Sequence, residues 1–281
     1  MRWSPGRDSG NVEDRRGSGG MGMAPMGIGG SIVLLVLSLI FGRDFIGSSD
    51  EPAPSPSASG EVAPPTDESA SEKRDVQLVR FVFDTAQVTW SQVLNSEGAQ
   101  YRDAKLVLFR NATPTGCGVG QTAMGPFYCP NDQKIYIDLA FYDELRTRFG
   151  APGDFAEAYV ITHELGHHIQ HLLGTDAKVR RAQEQNPDAA NALSVALELQ
   201  ADCYSGVWAN HTKNEKILEP GDIESGLNAA AAVGDDRIQK QMTGHVNVDR
   251  FTHGSSQQRM TWFKRGFDSG DPGACNTFGS R

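Results

Sequence analysis

The sequence predicts an α+β domain, mainly helical with a small β-sheet, preceded by one N-terminal transmembrane helix. Three observations predict it. Apolar residues recur at helical spacing over long stretches, as at Val79, Val82, Phe83, Ala86, Trp90 and Val93. Strand-like runs are few and short, Lys105–Phe109 and Lys134–Asp138. One uninterrupted apolar run occupies residues 26–42, with Ile32–Leu37 at its centre. The 281 residues, 38% hydrophobic, suffice for one core plus tails and not for two full domains. A net charge of -9 argues against a nucleic-acid partner.

Residues 1–25 are polar, rich in Gly, Arg and Met and without periodicity, so the sequence predicts a disordered tail. At 1.5 Å per residue the run 26–42 covers roughly 25 Å, slightly less than a hydrocarbon core of about 30 Å. A cleaved signal peptide is the rival reading. The polar stretch ahead of the run is long for an n-region, and Arg43-Asp44 stand where small residues should mark a cleavage site, which favours an uncleaved signal anchor. Arg2, Arg7, Arg15 and Arg16 precede the run and only Arg43 closely follows it. The positive-inside rule then predicts a single-pass protein of the cell membrane, its N-terminus cytoplasmic and its main body extracytoplasmic, periplasmic or extracellular. Residues 43–74, with five prolines between Pro52 and Pro65, read as a tether, and residues 75–281 as the folded domain.

Within that domain a first helix is followed by the strand Lys105–Phe109, a glycine-rich loop carrying Cys117 and Cys129, and the strand Lys134–Asp138. Asp138 can cap a helix running to about Phe149, with Gly150 as its stop. A helix over Phe155–Leu173 opens with Asp154 and Glu157 in a D-x-x-E start resembling a capping box, and Gly174 ends it. Further helical patterns run from about Ala189 to Asn210, from Asp222 to about Gln239 with an interruption at Gly234-Asp235-Asp236, and from Ser255 to Phe267. Asp235 and Asp236 read as a solvated face, with a cation site as the alternative.

The stretch Thr162-His163-Glu164-Leu165-Gly166-His167 places H-E-x-x-H inside a helix. Residues four apart lie one turn above each other, so His163 and His167 can offer imidazole nitrogens to one Zn²⁺ while Glu164 stands beside it as a general base. A catalytic zinc takes three protein ligands and keeps a fourth position open. Glu198, on the later helix, supplies the third. Asp202, one turn on, can accept the other ring N–H of a ligand histidine. His171 continues the row from His167, but three ligands on one helix cannot easily surround an ion tetrahedrally, which favours Glu198. His168 points elsewhere.

At these residues, and at Asn11–Gly17 (NVEDRRG), Ala123–Pro130 (AMGPFYCP) and Phe251–Ser256 (FTHGSS), the chain resembles the bacterial putative neutral zinc metallopeptidase family. More distantly it resembles the zincins. The resemblance implies a zincin-like domain, a zinc metalloendopeptidase activity and a peptide or protein substrate. It also implies an edge strand that binds extended substrate, for which Ile135–Ile137 is the candidate, with an ordinary inner strand as the open alternative, and a histidine that steadies the developing oxyanion. His253 is the candidate for that role, with His245 its rival and a plain structural histidine hydrogen-bonded in a turn as the third reading. Two other readings stay open: a zinc amidohydrolase acting on a non-protein amide such as a cell-wall crosslink, and a non-catalytic metal-binding scaffold.

Four cysteines in an extracytoplasmic domain should pair, and four allow three connectivities. Cys117 and Cys129 flank one loop, which leaves Cys203 with Cys275. Cysteine ligation of a structural metal is disfavoured because no C-x-x-C spacing occurs.

Overall fold

A computed structural model describes residues 1–5, 10–17 and 68–279. Its strands are β1 (Val12–Asp14), β2 (Lys105–Phe109), β3 (Ala112–Thr115), β4 (Gly118–Gln121), β5 (Phe127–Cys129) and β6 (Lys134–Asp138). Its α-helices are α1 (Ala70–Ser96), α2 (Ala140–Thr147), α3 (Asp154–Leu172), α4 (Thr175–Gln185), α5 (Ala190–Asn214), α6 (Asp222–Ala232), α7 (Asp235–Thr243) and α8 (Ser256–Ser269). Helices dominate, and the strands form a four-stranded sheet in the order β1-β2-β6-β5 and a separate β3-β4 hairpin.

The sheet is parallel through β1, β2 and β6, and β5 closes it antiparallel, with Tyr128 opposite Ile135. Leu106, Leu108, Ile135 and Ile137 share one core with Val79, Phe83 and Trp90 of α1. Period-two residues of a strand face one way, so these leucines and isoleucines meet the helices. Val107, Phe109 and Tyr136 face the other side, where Phe127 stacks on Tyr136 at 5.1 Å. Helix α3 is central: it packs on α1, α5 and α6, with Phe155 stacked on the buried Trp208 of α5.

Several expectations change. The tail is not disordered in residues 1–5 and 10–17: β1 joins the sheet, and the Trp3 indole N–H donates to Asp154 Oδ2 at 2.7 Å. Val12 inserts its one apolar side chain into the core, a contribution too short to register as periodicity. The tether ends early, because Ser69 caps α1 by accepting the Glu72 N–H, so folded chain begins before Asp75. The strand at 134–138 is interior, and the edges of the sheet are β1 and β5. No capping box starts α3. Its Asp154 is taken by Arg74 and Trp3, and its Glu157 by Arg146, since fixed cations outcompete backbone donors for those carboxylates.

The Gly234 interruption separates two helices. Asp235 and Asp236 do not form a solvated face: both turn inward to accept N–H groups of the 252–256 segment. Asp138 Oδ1 accepts the Ala140 N–H at the head of α2, while its other oxygen accepts from Asn111 and Thr122. Among the described residues no helix is long and apolar enough to cross a membrane. The anchor expected at 26–42 and the tether up to residue 67 lie outside the described residues.

Candidate metal centre

The centre forms where α3 crosses α5. A Cβ on Gly166 would lie 3.0 Å from the Cα of Ala201, so the glycine inside H-E-x-x-H lets the second helix approach closely. That approach brings Glu198 Oε2 to 3.2 Å from His163 Nε2 and Glu198 Oε1 to 3.5 Å from His167 Nε2. One ligand atom from each of His163, His167 and Glu198 lies within 4.8 Å of the others. These are the three residues expected to hold zinc.

The ring nitrogens are assigned by their neighbours. His163 Nδ1 donates to Asp202 Oδ1 at 2.8 Å and His167 Nδ1 to Gln170 Oε1 at 2.9 Å. With Nδ1 carrying the proton in both rings, both Nε2 lone pairs converge, which is what a divalent cation with imidazole ligands requires. This donor set fits Zn²⁺: two neutral nitrogens, one carboxylate and a side open to a cleft.

Asp202 is fully buried and accepts from His163, from the Tyr159 hydroxyl, and from Arg259 through Nε at 2.8 Å and Nη2 at 2.9 Å. Burial alone would raise its pKa, but Arg259 and His163 outweigh burial and hold the carboxyl below its ordinary value. Glu198 is lowered further, against its burial, by His167, His163 and His253. Glu164, 8% exposed, moves the other way: burial raises it and the two histidines only partly compensate. A carboxylate whose pKa is raised is a stronger base towards a water proton than an unperturbed one.

The cleft over these residues measures about 610 Å³ and is walled by Phe127, Tyr128, Phe141, Val160, Ile238 and Met242 among others. His253 lines it, with Nδ1 3.2 Å from Asp235 Oδ1. Asp235 Oδ2 also accepts the backbone N–H of Thr252, His253 and Gly254, so one carboxylate fixes both the loop and the ring. Burial opposes protonation of His253, but Asp235 and Glu198 raise its pKa overall. His245 is exposed and outside the cleft lining. His171 is tied to Asp176 at 2.8 Å, and His168 is buried between the Tyr128 hydroxyl and the Arg102 carbonyl, so neither joins the centre.

The structure bonds Cys117 to Cys129 and Cys203 to Cys275. The first joins the β3-β4 turn to the edge strand, and the second joins the C-terminal segment to α5 one residue beyond Asp202.

A family model described as putative neutral zinc metallopeptidase matches residues 1–278. The chain belongs to that family. It is 49% identical over 290 aligned residues to the uncharacterized protein YpfJ of Escherichia coli (strain K12), covering 99% of each chain. It is 48% identical over 189 residues to the uncharacterized proteins Mb2605 of Mycobacterium bovis and Rv2575 of Mycobacterium tuberculosis, covering 63% of this chain and 63% of theirs. No solved structure matches it.

Around the family's metal motif stand residues that sequence reasoning missed. Tyr159 had a signal, lying one turn before His163 on the same helix face. Arg259 had none, being a lone cation brought from α8 across 57 residues.

Proposed function

We propose that this chain is a zinc-dependent metalloendopeptidase with a zincin-like arrangement. The observation that carries the reading is the convergence of His163 Nε2, His167 Nε2 and the Glu198 carboxylate, with both Nδ1 atoms already committed, on the floor of a cleft beside Glu164. Zn²⁺ bound there supplies Lewis acidity, lowering the pKa of a water and polarising a carbonyl. Glu164 accepts the water proton and delivers it to the leaving amine. His253, oriented by Asp235, donates a hydrogen bond towards the oxyanion that develops on the carbonyl. The edge strand Phe127–Cys129 packs against α3, and Phe127 and Tyr128 line the cleft, so an extended peptide can add to the sheet there.

The test is to incubate the full chain with a diverse peptide library, with and without chelator, while measuring bound metal. We expect about one zinc per chain and chelator-sensitive internal cleavage. Glu164→Gln should keep the zinc and lose turnover, whereas Glu198→Ala should lose most of the zinc. Full zinc occupancy in the Glu198→Ala protein would overturn the ligand set. Absence of any cleaved peptide from a zinc-loaded chain that hydrolyses a cell-wall amide would move the reaction to the amidohydrolase class.

A further inference from the structure

We propose that the C-terminal segment positions the second histidine ligand through a chain of two buried glutamines. This rests on the zinc reading above. Gln200 Nε2 donates to the Cys275 carbonyl at 3.0 Å, Gln170 Nε2 donates to Gln200 Oε1 at 3.1 Å, and Gln170 Oε1 meets His167 Nδ1 at 2.9 Å. A carbonyl can only accept, so Cys275 fixes which end of the Gln200 amide faces it, and Gln200 thereby presents its oxygen to Gln170. Gln170 Nε2 also donates to the Leu197 carbonyl at 2.7 Å, on the helix that carries Glu198. Two backbone carbonyls thus set the direction of every link. The outcome is an oxygen at His167 Nδ1, which forces the proton onto that nitrogen and leaves Nε2 free for metal.

Gln170 is 0% exposed and Gln200 7%, so water does not substitute freely for a lost link. The Cys203–Cys275 disulfide holds the Cys275 carbonyl against α5. Gln170, Gln200 and this disulfide are therefore positioning elements for His167, as Asp202 is for His163.

The test uses the full chain and measures zinc affinity by competition with a chromogenic chelator, together with the visible spectrum of the Co²⁺-substituted protein. Gln170→Leu should weaken zinc 10- to 100-fold, the usual effect of removing a partner of a ligating histidine. Gln200→Leu and the pair Cys203→Ser with Cys275→Ser should weaken it severalfold and alter the Co²⁺ bands, all measured at a temperature where each variant is folded by circular dichroism. If Gln170→Leu does not fold, the Gln200→Leu comparison decides. Wild-type affinity and spectrum in the folded Gln200→Leu and double-serine proteins would overturn the proposal. A wild-type chain that binds no zinc would instead overturn the reading it rests on.

A separate observation carries a second inference. We infer that residues 1–17 and the peptidase body lie on the same side of any membrane. Val12, Glu13 and Asp14 pair in register with Leu106, Val107 and Leu108, which are buried in the sheet. The Arg16 guanidinium, its side chain 1% exposed, binds Glu68 Oε1 at 2.7 Å, and these two residues bracket residues 18–67. A single crossing at 26–42 would put about 30 Å of hydrocarbon between Arg16 and Glu68. Two crossings need roughly 40 apolar residues, and the sequence offers only the run 26–42. The single-pass topology expected from the arginines is therefore incompatible with this fold. Arg15 and Arg16 belong to the folded body, where they neutralise carboxylates such as Glu13 and Asp14.

Carbodiimide joins a carboxylate to an amine only at contact distance, and Glu13 Oε2 lies 3.0 Å from Lys134 Nζ. Full-length protein in its host membranes should yield a peptide pair linked 13 to 134, lost in Glu13→Gln. The pair Lys264 with Asp268, at 2.6 Å, is the internal control. Single cysteines at Glu13→Cys and at the exposed Val88→Cys should react with an impermeant maleimide to the same extent in intact spheroplasts. The control link without the 13 to 134 link, or a tenfold difference between the two cysteines, would overturn the inference.

Discussion

Arg259 shows how much of the centre hangs on one side chain. It grips both oxygens of Asp202 and the Val233 carbonyl, and its Nη2 lies 3.9 Å from Glu198 Oε2. Arg259→Met leaves a buried aspartate short of its cation, a change that costs about 3 kcal/mol or more. We expect a fall in the unfolding midpoint and a tenfold or greater loss of zinc affinity, read by melting and chelator competition. His253→Ala should behave differently: full zinc, an unchanged fold, and kcat lower by about 10²- to 10³-fold, the effect of removing one oxyanion donor. Normal turnover in that variant would remove the role. His163, Glu164 and His167 were legible because helical spacing converts a sequence interval into a face, and Glu198 and Asp202 because the same interval repeats. Arg259 and Asp235 were not, since their partners come from other elements and no local pattern records a long-range ion pair.

The helices were legible as elements, but their meeting points were not. A Cβ on Gly266 of α8 would lie 1.9 Å from the Cys203 carbonyl oxygen, and one on Gly206 of α5 would lie 2.0 Å from that of Phe263. Backbone faces backbone there, so neither neighbour can swing aside. Gly266→Ala should destabilise by about 3 kcal/mol or more, measured by denaturant titration, because α5 and α8 must separate. Strand β5 escaped prediction because three residues cannot show a period, although it forms the wall of the cleft.

Helix α3 also stores a pH response. Glu157 is 2% exposed, and burial together with Asp75 raises its pKa to about 8 even though Arg146 donates to it. One arginine is shared by Asp75, Asp143 and Glu157, too little positive charge for all three. A pKa raised on folding means the native state binds more protons than the unfolded one. Its contribution is complete below the unfolded value of 4.5 and disappears as pH climbs through about 8. The melting temperature should therefore fall between about pH 5 and pH 8.5, and fall less steeply in Glu157→Gln. Parallel profiles would show that another group titrates.

At the scale of the whole molecule, the first residues close the structure. Strand β1 covers the edge of β2, Trp3 reaches α3, and Arg16 gathers Asp14, Glu68 and Glu72 at 2.6, 2.7 and 3.0 Å. Those three carboxylates come from the strand and from the head of α1, so one guanidinium locks the sheet edge to the first long helix. Arg16→Met removes the charge but keeps an unbranched apolar stem, leaving Asp14 and Glu68 without this cation. The loss should be about 3 kcal/mol in unfolding free energy. With β1 loosened, the backbone groups of Leu106–Leu108 become an open sheet edge, and the variant should form higher oligomers on size exclusion as temperature rises. None of the described residues among 1–17 lines the cleft, so zinc affinity measured below the melting transition should match wild type. A stable, monomeric Arg16→Met protein would mean that the strap is held by β1 pairing alone. A parallel loss of zinc at low temperature would mean that it braces the metal centre as well.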